Sequence, residues 1–253
     1  MISEAIDTLI KFSIPLYVDD EYGRPEQFGT GFFVRAEESL YLISAAHVLD
    51  NARTNKVYLY STPKIRRYLT GKVITTGHPD QRDEDVVDIG VLKMTGEALP
   101  PYSEVDKFPM DVSYLTPEYL PRSGKHYVIV GFPASKSRVD TIDRTTIAAP
   151  YAYRSDSIDD SEYARHGVNA ETHVVLPLDV RKGMDADGLV RTFPKPNGMS
   201  GSPIVVLYES ETEDRSGLFP VVAVGTTYRK STKVLIGGDV QFALNIIRKF
   251  AES

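Results

Sequence analysis

Apolar residues along this chain fall into many short runs, and only two stretches repeat with helical spacing. Ile2, Ala5, Ile6, Leu9 and Ile10 lie near the start, and Phe242, Ala243, Ile246, Ile247 and Phe250 near the end. Each set falls on one face of a helix. Gly237-Gly238-Asp239 precedes the second set as a cap. Between the two lie eleven runs rich in Val, Ile, Tyr and Phe: SIPLYV, GTGFFVRA, SLYLISAAHVL, KVYLY, GKVITTG, DIGVLKM, HYVIVGFP, THVVLPL, SPIVVLY, FPVVAVGTTY and KVLIGG. Gly, Pro, Asp and Ser break them at short intervals, which is the texture of strands and turns. Regular helices do not alternate with them, so a doubly wound parallel sheet is a poor fit. The pattern predicts an all-β sandwich or barrel with a short N-terminal helix and a C-terminal amphipathic helix.

Two polar stretches organise the rest. Residues 97–122 are turn-rich and hold five prolines, and are expected to connect two β halves. Residues 152–170 (AYRSDSIDDSEYARHGVNA) are expected to form a surface excursion. No repeat at solenoid periods and no low-complexity segment is visible.

Composition narrows the class. The 253 residues carry 29 Lys and Arg against 35 Asp and Glu, a net charge of −6, which argues against non-specific binding to nucleic acid or an anionic membrane. There is no cysteine, in keeping with a reducing compartment. MISEAIDTLIKFSIPLYVDD has no basic leader, and Asp7, Lys11 and Ser13 interrupt its apolar stretch. It is expected to be neither a signal peptide nor a membrane span, so a cytoplasmic location is expected.

The chemistry centres on PNGMSGSPIVV, residues 196–206, where one serine stands between two glycines ahead of an apolar run. Such a segment is either a surface turn or a nucleophile held against backbone N–H groups. A serine needs a base, and the five histidines, His47, His78, His126, His166 and His173, all precede Ser200. An α/β-hydrolase runs Ser–acid–His around G-x-S-x-G; here Ser202 fills the last position and no histidine follows, so that reading is poor. His78 and His166 lie in turn-like contexts, and His126 and His173 open apolar runs as ordinary edge residues do. His47, beside Ala45 and Ala46 after a strand-like run, has small neighbours that permit close approach. An orienting carboxylate completes such a set. Asp88, directly before IGVL, is the best placed, because a partly buried carboxylate needs a partner. Asp85 is the fallback, in a cluster with Asp83 and Glu84 expected to face solvent. DADG (185–188) matches a fragment of a calcium loop but lacks the other ligands, and is expected to be a polar turn. YRKSTK (228–233) is expected to be a hairpin end. No cofactor or metal motif stands out.

Taken in order, GTGFFV, LISAAHVL, DIGVLKM, VIVGFP, GMSGSP and VVAVGTTY resemble the successive signature segments of the chymotrypsin-fold (trypsin-like) serine proteases, closest in texture to cysteine-free bacterial and HtrA-type peptidase domains. The resemblance runs from about residue 29 to 228 and includes the C-terminal helix. It implies two antiparallel six-stranded Greek-key β-barrels, an N-terminal one over 1–115 carrying His47 and Asp88 and a C-terminal one over 116–253 carrying Ser200. It further implies a serine endopeptidase acting on polypeptides, with His47 as general base and acid, Asp88 orienting it and Ser200 as nucleophile. Gly198 and Ser200 would supply the N–H groups of the oxyanion hole. A catalytically silent protein-binding or regulatory module is the alternative use of the fold.

The departures concern the substrate. Ser202 stands where the family has glycine. Pro194 falls at the position six before the nucleophile, where no acidic residue supports an Arg/Lys preference. Thr226 aligns with a residue hydrogen-bonded near the catalytic acid, and Thr227 and Tyr228 continue the substrate strand, Tyr228 replacing a glycine of open pockets. The expectation is a restricted pocket for small or modest side chains. No Arg/Lys-Ile-Val-Gly-Gly activation site precedes the first strand, and no recognition module is expected after the final helix.

Overall fold

The computed structural model describes residues 2–54, 56–95, 108–118, 120–140, 145–184, 190–208 and 219–252. The N-terminal amphipathic stretch forms α1 (Ile2–Phe12), followed by β1 (Ser13–Asp19), β2 (Pro25–Ala36) and β3 (Ser39–Ala45). A single turn of helix, α2 (Ala46–Asp50), precedes β4 (Tyr58–Thr62), β5 (Ile65–Tyr68), β6 (Gly71–Thr75), β7 (Ile89–Met94) and the two-residue β8 (Met110–Asp111). These eight strands make one sheet, in the path β5-β4-β1-β2-β3-β7-β6 with β8 pairing β2.

The second half begins with β9 (His126–Gly131), then β10 (Ser137–Asp140), β11 (Thr145–Ala148) and β12 (Tyr151–Asp156). It continues with β13 (His173–Pro177), β14 (Gly183–Met184), β15 (Val190–Arg191), β16 (Pro203–Leu207), β17 (Val221–Arg229) and β18 (Val234–Asp239), and ends in α3 (Gln241–Ala251). The six-stranded sheet runs β12-β9-β16-β17-β18-β13, while β10-β11 and β14-β15 are separate ribbons.

One neighbour rule generates both sheets. Number β1, β2, β3, β4, β6 and β7 from one to six, and the first path reads 4-1-2-3-6-5; number the six strands of the second sheet likewise, and it reads 2-1-4-5-6-3. Each is a cut through the ring 1-2-3-6-5-4, the Greek-key permutation, so the halves are two curled antiparallel barrels of one topology. The first sheet has eight strands where six were expected, because β5 extends β4 as a hairpin and β8 adds a short parallel pair.

Strand alternation explains why GTGFFV and HYVIVG are apolar on both faces. Phe32, Val34, Ile43 and Val91 point into a core that also contains Val128, Val130 and Val205 of the second sheet, together with Leu9 of α1 and Ala243, Ile246, Ile247 and Phe250 of α3. Their neighbours Phe33, Leu42 and Leu92 fill the first barrel, and Tyr127, Ile129, Ile204 and Val206 fill the second. Successive residues thus serve different cores, as the two-residue period requires. Asp239 caps α3, its Oδ1 accepting the Gln241 N–H at 2.8 Å.

Two readings need correction. Residues 151–156 are the edge strand β12 rather than a surface excursion, paired along its whole length with β9. Its half-exposed, polar pattern is that of an edge strand; Asp160–His166 then makes a short helical turn that buries Tyr163. Asp85 does not face solvent: its side chain is 6% exposed and paired with Arg82. The hairpin end expected at 228–233 joins β17 to β18, and DADG lies outside the described residues. Among the described residues, no helix is long and apolar enough to cross a membrane.

Candidate active site

Asp88 organises the first half of the site. It directly precedes β7 and is buried, with a left-handed backbone (φ 53°). Asp tolerates that region better than most residues, at a cost of roughly 1–3 kcal/mol. The conformation aims three acceptors at α2: the Asp88 carbonyl takes the Ala46 N–H (2.8 Å), Oδ1 the His47 N–H (3.0 Å), and Oδ2 lies 2.6 Å from His47 Nδ1. Ala45 offers no side-chain cap, so Asp88 caps α2 from across the sheet. Ala45 and Ala46 are fully buried and Gly90 lies under Ala46, which lets helix and strand approach. With Nδ1–H donated to Asp88, the Nε2 of His47 is the basic face, on a side chain 34% exposed and edge-on to Phe28.

The Ser200 turn docks onto the strands that lead to His47. Gly201 (φ 93°) is pressed into the first sheet; a Cβ there would fall 2.0 Å from the Thr30 carbonyl and 2.1 Å from Ser44 Oγ. Thr30 N–H donates to the Ser200 carbonyl at 2.8 Å and Gly201 N–H to the Gly225 carbonyl at 2.7 Å. The Ser200 hydroxyl donates to the Thr226 carbonyl at 3.1 Å. His47 and Asp88 are therefore hydrogen-bonded to each other, and Ser200 is bonded to β17 instead of to His47.

Ahead of the serine, Gly198 takes φ 85°, a region that suits glycine. Its carbonyl accepts from Gln27 Nε2 (3.0 Å) and Thr30 Oγ1 (2.8 Å), while the Asn197 carbonyl accepts from Ala134 N–H (2.8 Å). In a trans peptide the N–H points opposite to the carbonyl, so anchoring Asn197 O fixes the direction of Gly198 N–H. Met199, Gly201 and Ser202 spend their N–H groups on Pro196, Gly225 and Met199 carbonyls. Among the described residues, Gly198 and Ser200 spend theirs on no backbone carbonyl, which leaves two unspent N–H donors in the turn.

The family model of the trypsin-like peptidase domain matches residues 29–210. The chain belongs to the trypsin-like peptidase family. Solved structures agree on the fold: the scabies mite inactivated protease paralogue S-D1 superposes with a TM-score of 0.59 at 12% identity, over 98% of this chain and 94% of that one. Neuropsin, a serine protease expressed in the limbic system of mouse brain, gives 0.56 at 14% identity over 95% and 94%. A comparison with curated proteins found no match.

Within this trypsin-like peptidase domain, a cavity of about 310 Å³ opens beside the pair, lined in part by His47, Asp88, Val168, Thr227 and Arg229. Thr227 is thus at the site. Thr226 supplies the carbonyl that holds Ser200, but its hydroxyl goes to the Ile236 carbonyl (3.3 Å) rather than toward Asp88, whose oxygens serve His47. Pro194 is buried. Tyr228 packs with the core of the second barrel, its hydroxyl reaching the Leu178 carbonyl at 3.4 Å. His126 pairs with Asp156, while His78 is exposed beside Asp80. His173 is buried and bonds the Val86 carbonyl. Sequence reasoning missed Gln27, Thr30, Arg82 and Ala134. Only Arg82 left a trace, as the one cation inside DQRDEDVVD. Among the described residues, no group of three or more acidic, His or Cys side chains could hold a metal ion.

Proposed function

We propose that this trypsin-like peptidase domain is an active serine endopeptidase. Ser200 attacks the scissile carbonyl as His47 Nε2 takes its proton; the Gly198 and Ser200 N–H groups hold the developing oxyanion; His47 returns the proton to the leaving amine. Water then repeats the sequence on the acyl-enzyme. For the first transfer the Ser200 hydroxyl turns from the Thr226 carbonyl to Nε2. The observation that carries this reading is the double hold of Asp88 on His47, through the main chain and through Nδ1, which fixes the ring and leaves Nε2 as its free nitrogen.

Substrate readings rest on the same alignment. Thr226, Thr227 and Tyr228 would form the strand along which the peptide lies, and Pro194 would stand at the back of a pocket with no carboxylate for Arg or Lys. The likeness to cysteine-free bacterial and HtrA-type members and the cytoplasmic location belong to this reading and rest on sequence alone. The test is cleavage of a peptide library by the wild-type chain beside Ser200→Ala: cuts after small or modest side chains, lost in the variant, support it. A profile dominated by Arg, Lys or Phe before the cut contradicts the pocket, and cleavage that survives in the variant contradicts the mechanism.

The second reading, a silent binding module, draws on the Ser200 hydroxyl being bonded to Thr226 and not to His47. Equal binding of peptides by wild type and Ser200→Ala with no turnover in either would favour it.

A further inference from the structure

The His47–Asp88 pair is braced from outside by one guanidinium. Arg82 lies in the turn Pro79–Glu84. Its Nε and Nη2 reach Asp50 Oδ2 and Oδ1 at 2.9 and 3.0 Å, and its Nη1 reaches Asp85 Oδ2 at 2.6 Å. Asp50 is the last residue of α2, the helix that carries His47. Asp85 holds the turn that carries Asp88: its Oδ1 accepts the Val87 and Asp88 N–H groups (3.3 and 3.1 Å), and its Oδ2 also accepts from Thr76 Oγ1 (2.7 Å) and Gly77 N–H (3.1 Å).

We propose that Arg82 and Asp85 are positioning residues for the His47–Asp88 pair, with Arg82 tying the helix of the one to the turn of the other. The contacts close a ring: His47, α2, Asp50, Arg82, Asp85, Asp88 and back to His47. Each part has a physical task. Asp85 supplies the acceptor that the left-handed Asp88 turn needs for two N–H groups, so it offsets the strain of that turn. The fork of Arg82 grips Asp50 bidentately, fixing distance and angle together as a lysine cannot. Burial opposes its charge, but the bonds to Asp50 and Asp85 more than offset that and hold its pKa above the ordinary arginine value. The Arg82 guanidinium therefore keeps its charge across the ordinary pH range. Arg82 also borders the cavity next to His47, so its action through the pair must be separated from direct contact with substrate.

The inference deepens the hydrolase reading and rests on it only for its kinetic arm. The experiment compares Arg82→Met, Arg82→Lys, Asp85→Asn and Asp50→Asn with wild type, first by proton NMR of the hydrogen-bonded His47 Nδ1–H at low field in a Ser200→Ala background. The expected result is a resonance present in the parent, broadened or lost in Arg82→Met, Asp85→Asn and Asp50→Asn, and partly retained in Arg82→Lys. In the Ser200-containing protein, kcat should fall by about tenfold or more in Arg82→Met while KM stays within about twofold, because a small misplacement of the base is costly. Arg82→Met combined with Asp50→Asn should be no worse than Arg82→Met alone. An unchanged resonance in all four variants overturns the proposal, as does a loss of kcat/KM carried wholly by KM. Should one variant fail to fold, the milder Asp50→Asn and Arg82→Lys still decide. If wild type proves inactive, the hydrolase reading fails while the resonance arm still upholds or overturns the clamp.

Discussion

The Ser202 hydroxyl occupies the space that a side chain at Gly131 would need. An ideal Cβ on Gly131 would fall 1.9 Å from Ser202 Oγ and 3.2 Å from its Cβ. Ser202 is fully buried, and its hydroxyl has no partner among the described residues. The Ser200 turn thus accommodates a serine at position 202 because β9 carries glycine across from it.

That pairing sets the first prediction. Gly131→Ala should lose about 1–3 kcal/mol through overpacking, and Gly131→Ala with Ser202→Gly should recover most of it. Ser202→Ala alone should be neutral or stabilising, since it removes an unpaired buried hydroxyl. Urea midpoints of the four proteins decide; a Gly131→Ala loss that Ser202→Gly leaves untouched contradicts the account.

Around Gly198 the expectation separates chemistry from stability. Gln27→Ala removes a donor to the Gly198 carbonyl, and Gly198→Ala forces a Cβ to 2.3 Å from Gln27 Oε1. Each should lower kcat, Gly198→Ala by about 10²–10³, the range for a lost oxyanion donor. Gly201→Ala should instead fail to fold stably, because its Cβ would fall 2.0 Å from the Thr30 carbonyl, whereas the nearest backbone atom to a Gly198 Cβ is Ala134 N at 2.9 Å. Steady-state kinetics with a thermal melt on each variant will show whether the two glycines part in this way.

How much of this was legible in the sequence differs by element. The apolar runs announced the strands that are buried on both faces, and Phe32 and Phe33 show why: each belongs to a different core. Polar edge strands such as Tyr151–Asp156 left no such signal, because half of each residue faces water and the pattern resembles a loop. His47 and Asp88 stood out because an Ala-Ala pair and a flanking apolar strand mark close packing. Gln27 and Ala134 could not, since each acts on Gly198 through contacts more than sixty residues away in the chain.

His173 links stability to pH. It is buried in β13, its Nε2–H donating to the Val86 carbonyl and its Nδ1 facing Thr172 Oγ1. Burial is the main cause that holds its pKa below the ordinary histidine value. The unfolded chain therefore binds more protons at this position than the folded one, and stability falls as pH drops below about 6.5, the unfolded value, until the folded group titrates. His173→Gln should flatten this acid loss. Urea midpoints at neutral and mildly acidic pH test it; an equal slope in both proteins rules out His173 as the source.

Arg122 is buried completely and bonds Glu118, Asp239 and the Ala170 carbonyl. Arg122→Met should leave buried Asp239 without its cation and Glu118 with Lys125 alone, and cost about 3–5 kcal/mol. A much smaller loss on chemical denaturation would mean that Lys125, 3.0 Å from Glu118, takes over the role.

The central claim is that Ser200 is a nucleophile activated by His47. Incubation with a fluorophosphonate, followed by intact mass and peptide mapping, tests it most directly. The account predicts a single adduct on Ser200, formed in wild type, absent in Ser200→Ala and strongly slowed in His47→Ala. No adduct on wild type, or equal labelling of Ser200→Ala, would contradict it.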